Sequence, residues 1–428
     1  MVTLNDLINH DISCTCGRTH RCDIPALLIG VGALERLPEL LGPHKHVLLV
    51  ADGNTYPLVG ERVKALLGSR LSACTVFETG SELLVPDEAG IQAIEEALTA
   101  ETDMILGIGS GVINDLCKYV SFYHGIDSGI IATAPSMDGY ASSGAAMILS
   151  GMKVTATTHA PWLILGDVGL LSSAPMDMIR SGYADIIGKY SALCDWRLSE
   201  LVNGEYLCPY VYNIVMERTN ALRALASDLT HRDPDAIAAL METLVLVGVC
   251  LTLLSTTRPG SGSEHHMSHY FEITGLVESA PYFPHGTDVG YATVVTAEMR
   301  ERIVRIEEPV FHRISDESRR TAYERIYKGL APEVWALQET AGRYANRKDD
   351  FYRAHWDEVR NILAECPTGD EIRAMLVAVG FDLSAFEALY GAKKIKNGTW
   401  FAKDLKDRYS VLWLYADLFL TEEEVRNV

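Results

Sequence analysis

Three histidines fall close together in SGSEHHMSHYFE (261–272): His265, His266 and His269. On a helix, positions i and i+4 share a face, so His265 and His269 point the same way and His266 stands about 100° round the barrel. The pair reads as two metal ligands, as one ligand beside a catalytic group, or as a polar helix face. Two further stretches fit the first two readings. Asp185, in SGYADIIGKY (181–190), lies among Tyr183, Ala184, Ile186 and Ile187, where an unpaired carboxylate is costly. Either a metal compensates it, or Lys189 one turn on does so. His285 stands in a Pro-His-Gly turn (284–286) at a loop or helix start. One carboxylate with two neutral imidazoles is a common catalytic metal set, and it leaves positions open for water or a substrate oxygen. Asp185, His265 and His285 can supply it. His269 then stands beside the site as a proton carrier or substrate contact.

A second chemistry is written in LGIGSGVINDLCK (106–118). A strand runs into Gly107, Gly109, Ser110 and Gly111, and a helix follows. Small residues at a helix start let a phosphate approach the backbone N–H groups and the positive end of the helix. The spacing is not G-x-G-x-x-G. The stretch reads as a dinucleotide pyrophosphate site, with a tight strand-to-helix turn as the alternative. Asn114, Asp115 and Lys118 come one turn later. Asp52 closes the strand of VLLVADGNT (47–55), where an acid commonly holds an adenosine ribose and repels a 2′-phosphate. It leans toward NAD, and a polar loop after a strand explains it equally well. In ATAPSMDGYASSGA (132–145), Thr133, Ser136 and Ser142 can hydrogen-bond a cofactor and Asp138 can receive a substrate hydroxyl. Alone, that stretch reads as a loop.

CTCGRTHRC (14–22) collects Cys14, Cys16 and Cys22 around His20. It lacks a second spaced pair of ligands. Thiols in an N-terminal loop are the expectation, and a structural zinc is the alternative. The other six cysteines are scattered through apolar stretches, as reduced thiols of a cytoplasmic protein are.

The chain has 428 residues and a net charge of −20. That field argues against nucleic acid and anionic membrane surfaces as partners. An anionic small substrate then needs a local positive site. MVTLNDLINHDIS has no basic region leading into an apolar core, so no signal peptide is expected. AIAALMETLVLVGVCLTLLSTT (236–257) has the length of a membrane span, but Glu242 lies inside it and its flanks carry no positive bias. A buried helix at the centre of a helical domain is expected, with no membrane insertion.

The elements that must position these residues alternate through the first ~170 residues, the usual run of an α/β unit. IPALLIG, HVLLVAD, LSACTVFET, DMILGIGSG and GIIATAP read as strands. ALERLPELL, VGERVKALLGS, DEAGIQAIEEALTAE and VINDLCKYVSFYH read as helices between them. This pattern implies a parallel sheet covered on both faces. After 162–175 long helical segments follow, among them 175–202 and 321–347. The expected fold is an α/β Rossmann-like parallel-sheet domain (1–172) and an all-α metal- and substrate-binding domain (173–428). Ligands bind at the carboxyl ends of such strands, so the site is expected in the cleft between the domains.

GSGVIND, TAPSMDGYAS, GYADIIGKYSALCDW, STTRPGSGSEHHMSH and PHG, in this order between 107 and 286, resemble the iron-type alcohol dehydrogenase and dehydroquinate synthase superfamily. The nearest branch is the sn-glycerol-1-phosphate dehydrogenases, including their bacterial form. RPGSGSEHHMSH is the most specific stretch. Dehydroquinate synthases typically have a glutamate where Asp185 stands. The resemblance implies a dehydroquinate synthase-like fold. It implies that Gly109, Ser110, Gly111, Val112, Ile113, Asn114 and Asp115, with Thr133, Ala134, Pro135, Ser136 and Ser142, face NAD or NADP. Val112 replaces a lysine common in the family. Asp185, His265 and His285 are implied as ligands of one divalent metal, zinc or nickel. Asp138, His269 and Asp185 would meet the substrate. The implied reaction is NAD(P)H reduction of dihydroxyacetone phosphate to sn-glycerol 1-phosphate, a membrane-lipid precursor. His269 or water supplies the proton, Lys189 is a further catalytic candidate, and Arg258 or Lys189 faces the phosphate. The alternatives are a glycerol or alcohol dehydrogenase and a carbocycle-forming lyase. A homo-oligomer, dimer or larger, is the expected assembly.

Overall fold

Uninterrupted apolar runs become the buried strands. Val47 to Ala51, and Met104, Ile105, Leu106 and Ile108, have no accessible surface, as strands covered on both faces require. In the computed structural model, which describes residues 2–79 and 84–428, the strands are β1 (Ile12–Ser13), β2 (Thr19–His20), β3 (Ala26–Gly30), β4 (Val47–Asp52), β5 (Leu71–Phe77), β6 (Met104–Gly109), β7 (Asp127–Ala132), β8 (Gly144–Leu149), β9 (Met152–Thr157) and β10 (Leu163–Asp167). Six of them form a parallel sheet in the order β3-β10-β7-β6-β4-β5. Leu34, Leu37, Leu41, Val63 and Leu67 from the helical segments share one core with Val47, Leu49, Ala51, Leu106 and Ile108. At about 25 cal/mol per Å² of apolar surface, such burial is the main favourable term.

The chain forms two compact units. The first holds residues 1–183 and 224–257, and the second holds 184–223 and 258–428. Beyond Asp167 the described residues form helices and no strand.

In the first unit β5 lies on one side of β4, and the chain then returns to lay β6 on the other. The carboxyl ends of β4 and β6 therefore flank the point where strand order reverses, the place where open α/β sheets bind ligands. The apolar helix is Pro234–Leu254, with mean hydropathy 2.4 and 78% of its most apolar stretch buried. It belongs to this sheet-bearing unit, not to the centre of the helical one as expected. It backs the loop after β7: the Thr252 hydroxyl donates to the Ala141 carbonyl at 2.9 Å. A side chain on Gly248 would stand 2.7 Å from the Asp138 carbonyl oxygen.

Two expectations change in detail, and one element is new. The long helix over 175–202 is two helices, Met176–Ile187 and Lys189–Asn203, joined at Gly188. A Cβ there would meet Val289 at 2.7 Å and Glu264 at 3.3 Å, so only glycine lets the join pack this closely. The segment 321–347 breaks at Lys328, whose φ is +49°. The hairpin of β8 and β9 has no counterpart in the sequence reading. It turns through Ser150 and Gly151, both at positive φ.

Gly182, on Met176–Ile187, carries a sharper constraint. A Cβ would lie 1.9 Å from the Pro135 carbonyl oxygen, so the helix and the 133–136 loop touch backbone to side. Gly182→Ala is expected to cost at least about 1–3 kcal/mol by overpacking. Thermal unfolding checks it; a wild-type midpoint would show that the loop yields freely.

Candidate active site

The glycine-rich turn and its neighbours lie together in the first unit. Gly107 and Gly109 are small because Ile113 of the helix Gly111–His124 packs on them: added Cβ atoms would meet its side chain at 2.8 and 2.7 Å. This is the tight strand-to-helix turn. Gly111 is different. A Cβ there would make only ordinary contacts, the nearest at 3.5 Å to Met137, so packing does not demand glycine. Its smallness leaves the first turn of the helix open beside Ser110 and the half-buried Val112. The turn is tied to its neighbours by Thr133 N–H donating to the Gly109 carbonyl at 3.0 Å.

The loop after β7 is held from below. Tyr140 donates to the Ala134 carbonyl at 2.6 Å, and Ser181 donates to the Ser136 carbonyl at 3.2 Å. Thr133, Ala134, Pro135 and Ser136 are buried and Asp138 is half-buried. Three of the residues implied as cofactor contacts are engaged within the fold. Asn114 donates to the Gly139 carbonyl at 3.4 Å. Asp115 pairs with Lys118 at 3.1 Å and accepts from Ala146 N–H. Ser142 hydrogen-bonds Lys118 and the Gly139 and Gly144 carbonyls. Asp52 accepts from the N–H groups of Asn54 and Thr55 at 2.8 Å with one oxygen. The Thr55 hydroxyl bonds the Ile108 carbonyl at 2.8 Å and ties the ends of β4 and β6 together.

The second unit gathers the acid and the histidines. Asp185, His265 and His285 each present a ligand atom, and these atoms all lie within 4.8 Å of one another. His265 Nε2 is 3.5 Å from Asp185 Oδ1. The rings of His265 and His285 have centroids 5.0 Å apart, and that of His269 lies 5.6 Å from His285. His265 and His269 share a helix face, on Ser263–Glu278. His266 turns away: its Nδ1 lies 3.5 Å from the Ser410 hydroxyl. Burial, with Arg408 nearby, holds its pKa well below the ordinary value, so it is neutral.

Two residues absent from the sequence reading hold the imidazoles of this group. Glu264 Oε1 is 2.7 Å from His265 Nδ1 and accepts the Gly262 N–H at 2.8 Å. An N–H on Nδ1 leaves the Nε2 lone pair directed at Asp185. Burial pushes the Glu264 carboxyl up, but His265, Gly262 and Ser191 outweigh it and hold it below the usual range. Ser268 sits 3.3 Å from His285 Nδ1. The signal for Glu264 was its place just before His265; its direction was invisible because neighbouring helix residues normally diverge. Gly262 completes the arrangement, since a Cβ there would meet Ala192 Cα and Asp195 at 2.7 Å.

The donors fit a divalent metal. Two nitrogens and a carboxylate suit zinc or nickel better than a hard cation. Asp185 and Glu264 are fully buried carboxylates, and Lys189 is the ammonium set against Asp185, at 2.7 Å. One negative charge is left over for a cation. Lys189 also donates to the Gly260 carbonyl at 2.9 Å. Arg258 is committed to Glu205 (2.6 Å), the Tyr409 carbonyl (2.7 Å) and the Ser199 hydroxyl (3.0 Å). Both cations expected to face a phosphate thus serve internal carboxylates and carbonyls.

A family model for iron-containing alcohol dehydrogenases matches residues 28–175. Solved structures share the architecture at low identity. The archaeal halo-thermophilic Red Sea brine pool alcohol dehydrogenase has a TM-score of 0.59 at 14% identity, over 95% of this chain and 96% of that one. The alcohol dehydrogenase of Oenococcus oeni has a TM-score of 0.59 at 12% identity, over 92% and 98%. The fold is therefore that of the iron-type alcohol dehydrogenases. Among curated relatives, the NAD(P)+ glycerol-1-phosphate dehydrogenase of Halalkalibacterium halodurans is 35% identical over 292 residues, 67% of this chain and 73% of the relative. That of Bacillus licheniformis is 31% identical over 348 residues, 78% and 85%. The chain belongs to the glycerol-1-phosphate dehydrogenase family.

Proposed function

We propose that this enzyme reduces dihydroxyacetone phosphate to sn-glycerol 1-phosphate, reversibly, with NAD(P)H and one divalent metal, zinc or nickel. The carrying observation is the convergence of Asp185, His265 and His285 within 4.8 Å, in a chain whose relatives bear that activity in their names. When bound, the metal supplies Lewis acidity at the substrate oxygens and NAD(P)H supplies hydride.

The chain's own residues do the rest. Gly109 closes β6 beneath the turn, Ser110 to Ile113 offer the backbone N–H groups of the helix start to the pyrophosphate, and Asp52 keeps an oxygen for the ribose. Thr133 to Ser136 form the wall beside the cofactor, and Asp138 receives a substrate hydroxyl. Lys118, Asn114, Asp115 and Ser142 act one step behind, by fixing that wall. Lys189 holds Asp185 in place and balances its charge. His269 lies on the histidine face and carries a proton to the product oxygen. Among the described residues, which include all nine cysteines, there is no disulfide, which supports a cytoplasmic setting. The two-unit architecture supports a dinucleotide-binding part and a metal- and substrate-binding part, and we propose a homo-oligomer as the assembly.

Two expected results follow from these roles. Glu264→Gln weakens metal affinity by about 10–100-fold, the usual effect of losing a carboxylate behind a ligating histidine. Metal titration of the apoprotein reads this directly, and an unchanged affinity would remove Glu264 from the role. Dihydroxyacetone phosphate is turned over with kcat/KM at least ~10²-fold above dihydroxyacetone, because a lost charged contact costs about 2–3 kcal/mol or more. Equal values for the two ketones would favour a glycerol or alcohol dehydrogenase.

A further inference from the structure

The N-terminal CTCGRTH stretch has no part in the chemistry above. It folds as a tight hairpin: β1 and β2 pair antiparallel, with Ile12 opposite His20 and Ser13 opposite Thr19. The turn is closed by Cys14 N–H donating to the Arg18 carbonyl and Gly17 N–H donating to the Cys14 carbonyl, both at 3.0 Å. Gly17 has φ +85°, a conformation that side chains disfavour, so glycine is needed exactly where the chain reverses between the cysteines and the histidine. The result brings three soft donors together. Cys14, Cys16 and His20 each offer one ligand atom, all within 4.8 Å of one another. Cys16 Sγ is 3.3 Å from His20 Nε2.

The histidine is also prepared. His20 is only 2% exposed, and its Nδ1 lies 3.1 Å from the Leu253 carbonyl oxygen. A carbonyl only accepts, so Nδ1 carries the proton and Nε2 presents its lone pair to the sulfurs. Metal-binding histidines commonly donate their other ring N–H to a backbone carbonyl in this way. Cys22 is not part of the group. It is buried separately, and burial pushes its thiol up to about 12.

We propose that Cys14, Cys16 and His20 bind a structural zinc ion. Two sulfurs and an imidazole nitrogen are the donor class zinc selects. Binding converts both thiols to thiolates and releases their protons to solvent. Three positions of the tetrahedron come from the hairpin, and the fourth comes from water or a donor outside it. Through His20 and Leu253 the ion clamps the hairpin onto the end of the apolar helix Pro234–Leu254. This site needs nothing from the reading of the catalytic centre.

Cobalt substitution of the reduced, full-length protein tests it. Thiolate-to-cobalt charge transfer gives a near-ultraviolet band, and the Asp185, His265 and His285 set holds no sulfur. The wild-type protein is expected to show the band. The Asp185→Ala variant is expected to keep it and to retain about one equivalent of tightly held zinc as purified. Cys16→Ser and Cys14→Ser are each expected to lose it. A wild-type protein without the band, holding only a thiol-to-imidazole hydrogen bond, would overturn the proposal. So would a band that survives both serine variants.

Discussion

Asp185→Ala and His265→Ala each lose the metal and the activity together. Each removes one of the three proposed ligands, whose atoms converge within 4.8 Å. Asp185 is fully buried and His265 5% exposed, so water is a poor replacement. Charge stabilisation at such a centre is worth several kcal/mol, and its loss costs ~10²–10³ or more in rate. Asp185→Ala does more damage than a missing ligand alone. It strands the Lys189 ammonium, which is 2.7 Å from Asp185 Oδ1 and without accessible surface; a buried charge left by its partner costs about 3–5 kcal/mol. Stability is therefore to be measured beside activity. His265→Ala leaves the Asp185–Lys189 pair in place and so shows the loss of a ligand without the stranded charge. Full turnover in a variant shown to be metal-free would contradict the assignment.

Lys118→Met is expected to unfold the 139–144 segment of the first unit or to destabilise the unit by about 3–5 kcal/mol. The ammonium is 1% exposed and 3.1 Å from Asp115. It donates to the carbonyls of Gly139 at 3.0 Å, Ser142 at 3.4 Å and Gly144 at 2.5 Å. One side chain thus gathers the 139–144 segment onto the helix Gly111–His124. Burial raises the Asp115 carboxyl above its ordinary range, against the pull of Lys118 and Ala146. The pair is costly to bury and more costly to break. Adding Asp115→Asn to Lys118→Met is expected to recover part of the loss, because the stranded charge is then gone. Chemical denaturation gives the cycle. A loss below 1 kcal/mol for Lys118→Met would show that the carbonyls find water instead.

Five of the six sheet strands were legible because their signal is local, continuous apolar runs of strand length each followed by a helical period; β10 (Leu163–Asp167), between β3 and β7, was not read as a strand. The helix of the histidines was legible for the same reason, from the four-residue spacing of His265 and His269. What escaped depends on contacts distant in sequence. The join at Gly188 is invisible in a run that is helical on both sides, and its cause lies at Val289 and Glu264. Glu264 stands beside a ligand in sequence, yet its role comes from the Gly262 turn that aims it back. Arg258 shows the opposite failure. A lone cation near a histidine cluster invites a phosphate, and the structure sets it against Glu205 instead. The apolar helix over 236–257 announced its burial but not its partner, since a helix apolar on all sides carries no direction.

The most direct test of the account is NADH oxidation with dihydroxyacetone phosphate by chelator-stripped protein, before and after zinc or nickel is returned. NADPH is run in parallel, and the chirality of the product is determined. The account predicts negligible turnover in the stripped protein, restoration by stoichiometric metal, and sn-glycerol 1-phosphate as product. Turnover that is indifferent to metal, or no turnover with either metal and either nucleotide, would contradict it.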